Sequence, residues 1–533
     1  VFRKFIRKIK VLGNMGRKKD RFQDEKNYSN NQSLSKKLQV NFRSLQEIFQ
    51  DASDIVFKEF KIGEKDQINA FLIFVDGLVD NGLVNESLLK SLMLFAREIP
   101  PNQDMDHVYL QIKESALSIA GTKECATLKN AVDAILSGDV VLFLDGADKA
   151  LILSIRGWSS RAVMEPVTET VVRGPREGFV ETLRTNTSLI RRKIKSPNLK
   201  FESMKIGTET QTDICVVYMK NIVNQEIVQE VKKRLEKIEI DGILESGYIE
   251  SFIEDAPFSI FPTVGNSEKP DTISAKILEG RVAILVDGTP FVLAVPYLLV
   301  EAFQNSEDYY ARPFFSSLIR ILRYISFGIS ILAPASYVAI TTFEQELLPA
   351  PLVITTAASL EGVPFPPVIE ALMMGAVFEI LREAGVRLPR PVGQAVSIVG
   401  ALVIGQSAVA AGFVGAPMVI VVALTAIASF VVPVLTDAGA IIRFLLTVLA
   451  GLSGIYGIML GIAVILTHLC SLRSFGMPYT SPLAPMKLSD MKDVFIRVPW
   501  WAMLTRPRAL GMKNRVRQKS NRMTEQAEND QKK

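Results

Sequence analysis

From Pro391 to Thr436 the chain runs 46 residues without a charged side chain, although 22% of its residues are charged. As one helix that stretch would extend roughly 69 Å, more than twice a hydrocarbon core of about 30 Å. It must fold back on itself, and a turn is written at Gly412-Phe413-Val414-Gly415-Ala416-Pro417. The spacing predicts membrane spans near 393–411 and 418–435. A third apolar stretch, near 444–472, lies between Arg443 and Arg473 with only His468 ionisable. A fourth, near 324–342, is entered from Arg320 and Arg323 and contains Pro334, which neighbouring helices in a bilayer can accommodate.

The apolar residues are unevenly spread: roughly the first 280 residues read as water-soluble and most of the next 195 do not. Val1 to Arg43 carries thirteen Lys or Arg against three acids and has no apolar core of signal-peptide length. The stretch from Thr505 to Lys533 carries nine against three. The positive-inside rule puts both ends in the cytoplasm, which requires an even number of crossings. Four spans satisfy it, but Arg387 and Arg390 then lie outside, beside Glu379 and Glu383. Cys125, Cys215 and Cys470 are far apart and read as free thiols, and two histidines leave zinc catalysis little to work with. His468 is either an interfacial side chain or a proton site.

Before the membrane half, helical and strand patterns alternate. Val140 to Leu144 and Ala150 to Ile155 flank Asp145-Gly146, a hairpin signal because the turn needs a positive φ. The pattern recurs at an offset of 142: Gly138, Val140, Leu142, Leu144, Asp145, Gly146 and Leu151 correspond to Gly280, Val282, Ile284, Val286, Asp287, Gly288 and Leu293, with five identities in seven pairs. Either these are two independent hairpins with a common turn, or the chain repeats an α/β subdomain. The repeat also makes the start of Phe291 to Val300 a strand, with Pro296 and Glu301 leaving that stretch too short to cross. Strands are expected at Lys200 to Lys205 and Asp213 to Met219, and helices at Arg176 to Ile194 and Gln225 to Ile238.

The fold class expected is therefore an α+β or α/β cytoplasmic region of two subdomains, 41–160 and 161–300, followed by an all-α polytopic membrane domain over 310–472 with about four transmembrane helices. A basic segment at 1–40, expected to be disordered, and a basic tail at 473–533 flank them.

Between the subdomains stands the most distinctive string, Glu165-Pro166-Val167-Thr168-Glu169-Thr170-Val171-Val172-Arg173-Gly174-Pro175-Arg176-Glu177-Gly178-Phe179. Its interspersed acids and arginines suggest an ion-paired elbow. Arginines invite a phosphate reading, but the Gly-x4-Gly-Lys-Ser/Thr spacing of nucleotide hydrolases is missing. With Ser471-Leu472-Arg473-Ser474-Phe475-Gly476-Met477-Pro478-Tyr479 and Ser397-Ile398-Val399-Gly400 to Ile404-Gly405-Gln406, this string resembles the A subunits of the bacterial spore-germination receptor family (GerA), over about Phe42 to Arg508.

That resemblance implies a receptor of the spore inner membrane, assembled as a homo-oligomer with a polytopic B subunit, a lipoprotein C subunit and other germination proteins. It implies germinant sensing with no enzymatic chemistry, cofactor or metal. Lipid is the expected surface for the basic ends, and nucleic acid is not an expected partner. In the membrane half, Gln394, Val396, Ser397, Val399, Val403 and Gln406 are candidates for a pore lining or hydrophobic gate, and Glu370 and Glu379 for carboxylates at a pore mouth. Helix 368–384 reads as interfacial or re-entrant. A nutrient-gated cation channel, a non-conducting signalling scaffold and a secondary transporter remain open as readings.

Overall fold

The computed structural model describes residues 32–62, 68–90, 92, 105–115, 121–157, 165–166, 169–388, 405–486, 490–507, 510 and 514–517. The chain divides into two units, one of Val1–Gln50 with Ile55–Gly157 and one of Asp51–Asp54 with Trp158–Lys533.

The first unit contains α1 (Leu38–Ile48), β1 (Ile55–Ile62), β2 (Ile68–Val75), α2 (Met105–Ser115), β3 (Thr122–Cys125), α3 (Leu128–Leu136), β4 (Val140–Leu144) and β5 (Ala150–Leu153). Its antiparallel sheet has the order β1-β2-β4-β5-β3. All five residues of β4 are buried, so both faces are covered. On one face Phe71 stacks on Phe143 with 4.6 Å between centroids, and Phe42 of α1 meets Phe71 edge-on. Against the other pack Val84, Leu88, Val108 and Ile112.

The second unit opens with α4 (Leu183–Lys193), β6 (Leu199–Ile206), β7 (Thr212–Met219), α5 (Gln225–Leu235), α6 (Ser246–Ile253), β8 (Gly265–Ser267), α7 (Pro270–Leu278), β9 (Val282–Val286) and β10 (Val292–Val295). The sheet order β6-β7-β9-β10-β8 is that of the first unit, strand for strand. The likeness reaches individual hydrogen bonds. Gly146 and Gly288 hold φ of 88° and 89°, as the turns demand. Asp145 Oδ1 accepts the Leu38 N–H at 3.1 Å and Asp287 Oδ1 the Leu183 N–H at 2.9 Å, so each hairpin turn caps the helix that opens its own subdomain. Asn41 bridges the backbone of Ser35 through both side-chain atoms, and Asn186 bridges Val180 in the same way.

Helix α4 is shorter than the 176–194 expected. Residues 175–180 form neither helix nor strand, and the Phe179 N–H donates to Glu268 O at 2.7 Å, a partner no local pattern announces. The start of Phe291 to Val300 is strand β10, followed by a 3₁₀ turn at Leu299–Phe303.

The rest of the second unit is helical: α8 (Pro313–Thr342), α9 (Ala350–Leu360), α10 (Pro367–Arg387), α11 (Gly405–Ala410), α12 (Ala416–Ser429) and α13 (Thr436–Ser471). Among the described residues two stretches are long and apolar enough to cross a membrane, Pro313–Thr342 and Pro433–Ser471. The sequence reading treated 444–472 as one span, but α13 breaks at Ser453 and Gly454, where φ turns to −144° and 58°. A Cβ on Gly461 would sit 2.6 Å from the Leu446 side chain. Fifteen residues along a straight helix span about 22 Å. The chain therefore doubles back, and 436–452 and 455–471 lie side by side as a helical hairpin. Past α13, Arg473–Ser474 pairs with Met477–Pro478 as β11 and β12. The residues of 473–517 that are described are not a free tail, since Ser474, Tyr479, Arg497 and Leu510 are buried.

Candidate functional site

In the elbow, Glu165 is exposed and Pro166 buried. The ion pairing expected within it reduces to Arg176 and Glu165 at 3.8 Å, both well exposed. Exposed pairs of that kind contribute little. The elbow is held instead by contacts to distant parts of the second unit. Glu169 accepts from Ser267 Oγ at 2.7 Å, and the Arg173 N–H donates to Glu307 at 3.3 Å. Gly174 lies against the Tyr310 ring, where a Cβ would come within 2.9 Å. Pro175 is half-buried, Glu177 pairs with Arg192 at 3.2 Å, and Phe179 enters the core beneath β6.

Below the sheet a buried polar clasp joins three stretches far apart in sequence. Arg320, near the start of α8, is fully buried and binds Asp308 at 3.1 Å and Asp493 at 2.8 Å. Arg323 reaches Asp308 at 2.7 Å, and the Tyr309 hydroxyl donates to Asp493 at 2.8 Å. Arg497 and Trp500 both donate to the Tyr309 carbonyl. Burial pushes the Asp493 carboxyl above its ordinary value, against the pull of Arg320. The sequence reading took Arg320 and Arg323 as a flanking charge pair; their acids lie 12 and 173 residues away from Arg320, which is why the clasp was missed.

The helical half is sealed by charge pairs. Arg443, read as a span boundary, is buried, bonded to Glu379 and 3.5 Å from Ser330 O. Arg382 links Glu379 at 3.1 Å to Asp437 at 3.5 Å. Glu370 is fully buried and accepts the Gly415 N–H at 2.8 Å, so it pins the turn written at 412–417. Within a single chain, then, Glu370 is buried in the helix packing and Glu379, half-buried, is paired with Arg443 and Arg382. Glu344 accepts the Ile455 N–H at 3.1 Å, capping the returning arm at the reversal of α13. His468 faces Ser259 at 3.0 Å, beside Phe261, at the foot of the sheet.

Of the lining candidates, Gln406 is exposed on α11. Gln394, Val396, Ser397, Val399 and Val403 lie outside the described residues. Between α8, α10, α12 and α13 lies a void of about 10 Å³ beside Pro334 and Arg443, room for about one water.

A family model described as Bacillus/Clostridium GerA spore germination protein matches residues 43–509. The chain is 49% identical over 496 residues to spore germination protein KA of Bacillus subtilis (strain 168), covering 93% of this chain and 90% of that protein. It is 45% identical to the uncharacterized membrane protein YfkQ of the same organism, over 89% of this chain and 91% of the relative. To spore germination protein GerLA of Bacillus cereus it is 41% identical, over 83% and 89%. The crystal structure of the N-terminal domain of the A subunit of the Bacillus megaterium spore germinant receptor GerK3 is similar at 37% identity, with a TM-score of 0.41, covering 50% of this chain and 97% of that one.

Proposed function

The chain belongs to the GerA family of Bacillus and Clostridium spore germination proteins, and from that premise we propose that it is the A-type subunit of a nutrient-germinant receptor in the spore inner membrane, where copies of it together form a germinant-gated cation channel. The germinant is sensed together with a polytopic B subunit and a lipoprotein C subunit.

One observation carries the channel reading. Within this chain Arg443 pairs with Glu379 in the helix packing, Glu370 is buried on the Gly415 N–H, and the void beside Pro334 and Arg443 admits about one water, whereas Gln406 and Ser407 are exposed on an otherwise apolar stretch. A polar side chain facing lipid is costly, so that face meets protein or water. A path for ions then runs between copies, lined by the 393–411 segment, with Val396, Val399 and Val403 as an apolar constriction that gates by dewetting.

The arrangement also bears on topology. Starting from a cytoplasmic clasp, α8 leads outward to Glu344, where the α13 hairpin turns. Helix α10 runs inward from Val368, near Gly451 in the outer part of the hairpin, to Arg382 beside Asp437. We propose that 391–411, α12 and both arms of α13 cross as well, six crossings against the four expected from hydropathy. Each arm of α13 has 17 residues, the lower end of a spanning length of about 17–25. Six crossings keep both ends inside and return Arg387 and Arg390 to the positive side, removing the conflict that four crossings create.

Replacing Val399 or Val403 by Ala in the native receptor tests the gate. Widened, less apolar constrictions produce spores that germinate without germinant; a non-conducting scaffold instead loses response or stays unchanged.

A further inference from the structure

A cavity of about 330 Å³ opens in the second unit, beside the second sheet, and reaches Val434 of the helical half. Its walls are helix α7, Glu169 of the elbow, the 304–310 turn, and Trp500 and Arg517 of the segment that returns after α13. The volume lies within the range of small-molecule sites, about 300–1,000 Å³.

The cations of the wall are already committed. Arg281 binds Glu279 at 2.7 Å, Glu301 at 2.9 Å and Pro296 O at 3.3 Å. Arg517 binds Glu279 at 2.9 Å, and Lys276 lies 3.4 Å from Glu301. Two acids keep acceptor capacity open. Asp271, whose side chain is 7% exposed, accepts from the Tyr310 hydroxyl at 2.5 Å through Oδ2, with Lys269 3.7 Å away. Its Oδ1 is buried without a hydrogen-bond partner among the described residues. Glu169 has the Ser267 hydroxyl and no ion pair among the described residues, and burial raises its carboxyl above the ordinary range. The buried Asp271 Oδ1 lacks a donor although Lys269 is paired to Oδ2, so what the cavity offers is an unfilled acceptor beside a carboxyl without an ion pair among the described residues.

Its aromatic groups point to the same ligand. Tyr297, Tyr309, Tyr310 and Trp500 line it, and three of these rings already take cations, Lys276 at 5.0 Å from Tyr297, Arg320 at 5.7 Å from Tyr309 and Arg517 at 5.3 Å from Trp500. An anionic ligand would have to displace Glu279 or Glu301 from its arginine and leave that acid buried and unpaired. We infer that this cavity is a binding site for a small organic cation, an ammonium or guanidinium head on a short apolar stem, with Asp271 and Glu169 taking the charged head and the aromatic rings flanking the stem.

The site gives the elbow a role that ion pairing does not. A bound cation touches the elbow, α7 and the returning segment at once, and so stiffens the junction between the second sheet and the foot of the helical half. The inference does not depend on conduction, since a chain that passes no ions would still bind the cation.

Isothermal titration of the full chain in lipid nanodiscs with agmatine tests it, with succinate and butanediol as anionic and neutral probes of similar length. The expected result is saturable binding of one agmatine per chain, with no binding of the other two. Asp271→Asn and Glu169→Gln each weaken it about tenfold, the loss of one charge-assisted hydrogen bond. Asp271→Asn keeps the shape of the site, and Glu169→Gln lies on the elbow outside the sheet core, so at least one variant reports on folded protein; matching melting curves verify it. No agmatine binding to the folded chain, tighter binding of succinate, or agmatine binding that neither variant alters would overturn the inference.

Discussion

Asp54 and Arg191 form a deeply buried ion pair in the second unit, with two hydrogen bonds of 2.8 Å and the guanidinium over the Phe201 ring. Arg191 also donates to the carbonyls of Ser196 and Leu199. Removing one partner of such a pair strands a charge, which typically costs about 3–5 kcal/mol. Asp54→Ala should therefore lower the melting temperature of the second unit, while Asp54→Asn, which keeps an acceptor, should lower it less; equal melting of the wild type and Asp54→Ala would contradict the pair's role. A second residue gives a pH signature. Burial, with Glu254 adding, pushes the Glu250 carboxyl up to about 7 from 4.5. Between those values the folded chain holds a proton that the unfolded chain has released. Stability from this group is thus fully present below pH 4.5, falls as pH rises to 7 and levels off above it. Melting curves of wild type and Glu250→Gln across that window check the sign, since the variant should lose that part of the slope.

Among elements, the two hairpins were legible because Asp145-Gly146 and Asp287-Gly288 encode their own geometry, and the offset between them announced a repeated subdomain. The shared strand order, by contrast, depends on pairings between distant segments and had to be seen. The reversal in α13 was hidden because Ser453-Gly454 sits within an apolar run in which glycine recurs. What stabilises the turn is Glu344, more than a hundred residues upstream. Gly451, Gly454, Gly457 and Gly461 recur every three or four positions, a spacing that suits close helix approach but does not say that part of the chain approaches itself. The elbow was legible as a motif but not in its contacts, which run to β8 and the 306–310 turn. Thiol labelling tests the reversal. In a Cys470→Ser background, Ser453→Cys should react with an impermeant reagent applied to the face opposite the termini. A straight helix would bury that position near mid-bilayer, and absence of labelling in a folded, lipid-embedded chain would contradict the hairpin.

At the scale of the molecule, the second sheet and the helical half are one unit, joined by the clasp of Asp308, Arg320 and Asp493. A change at the foot of the sheet therefore has a short, fully bonded route to α8 and α13. Membership of the germination family was legible from three strings, whereas the conducting path we propose would lie in contacts between copies, which a single chain does not contain. The most direct measurement is monovalent-ion current across a planar bilayer holding the purified receptor, before and after germinant. A germinant-dependent unitary current whose closed state is destabilised by Val403→Ala is the predicted result; no current from a folded receptor that still binds germinant would contradict a channel and leave the chain as a scaffold.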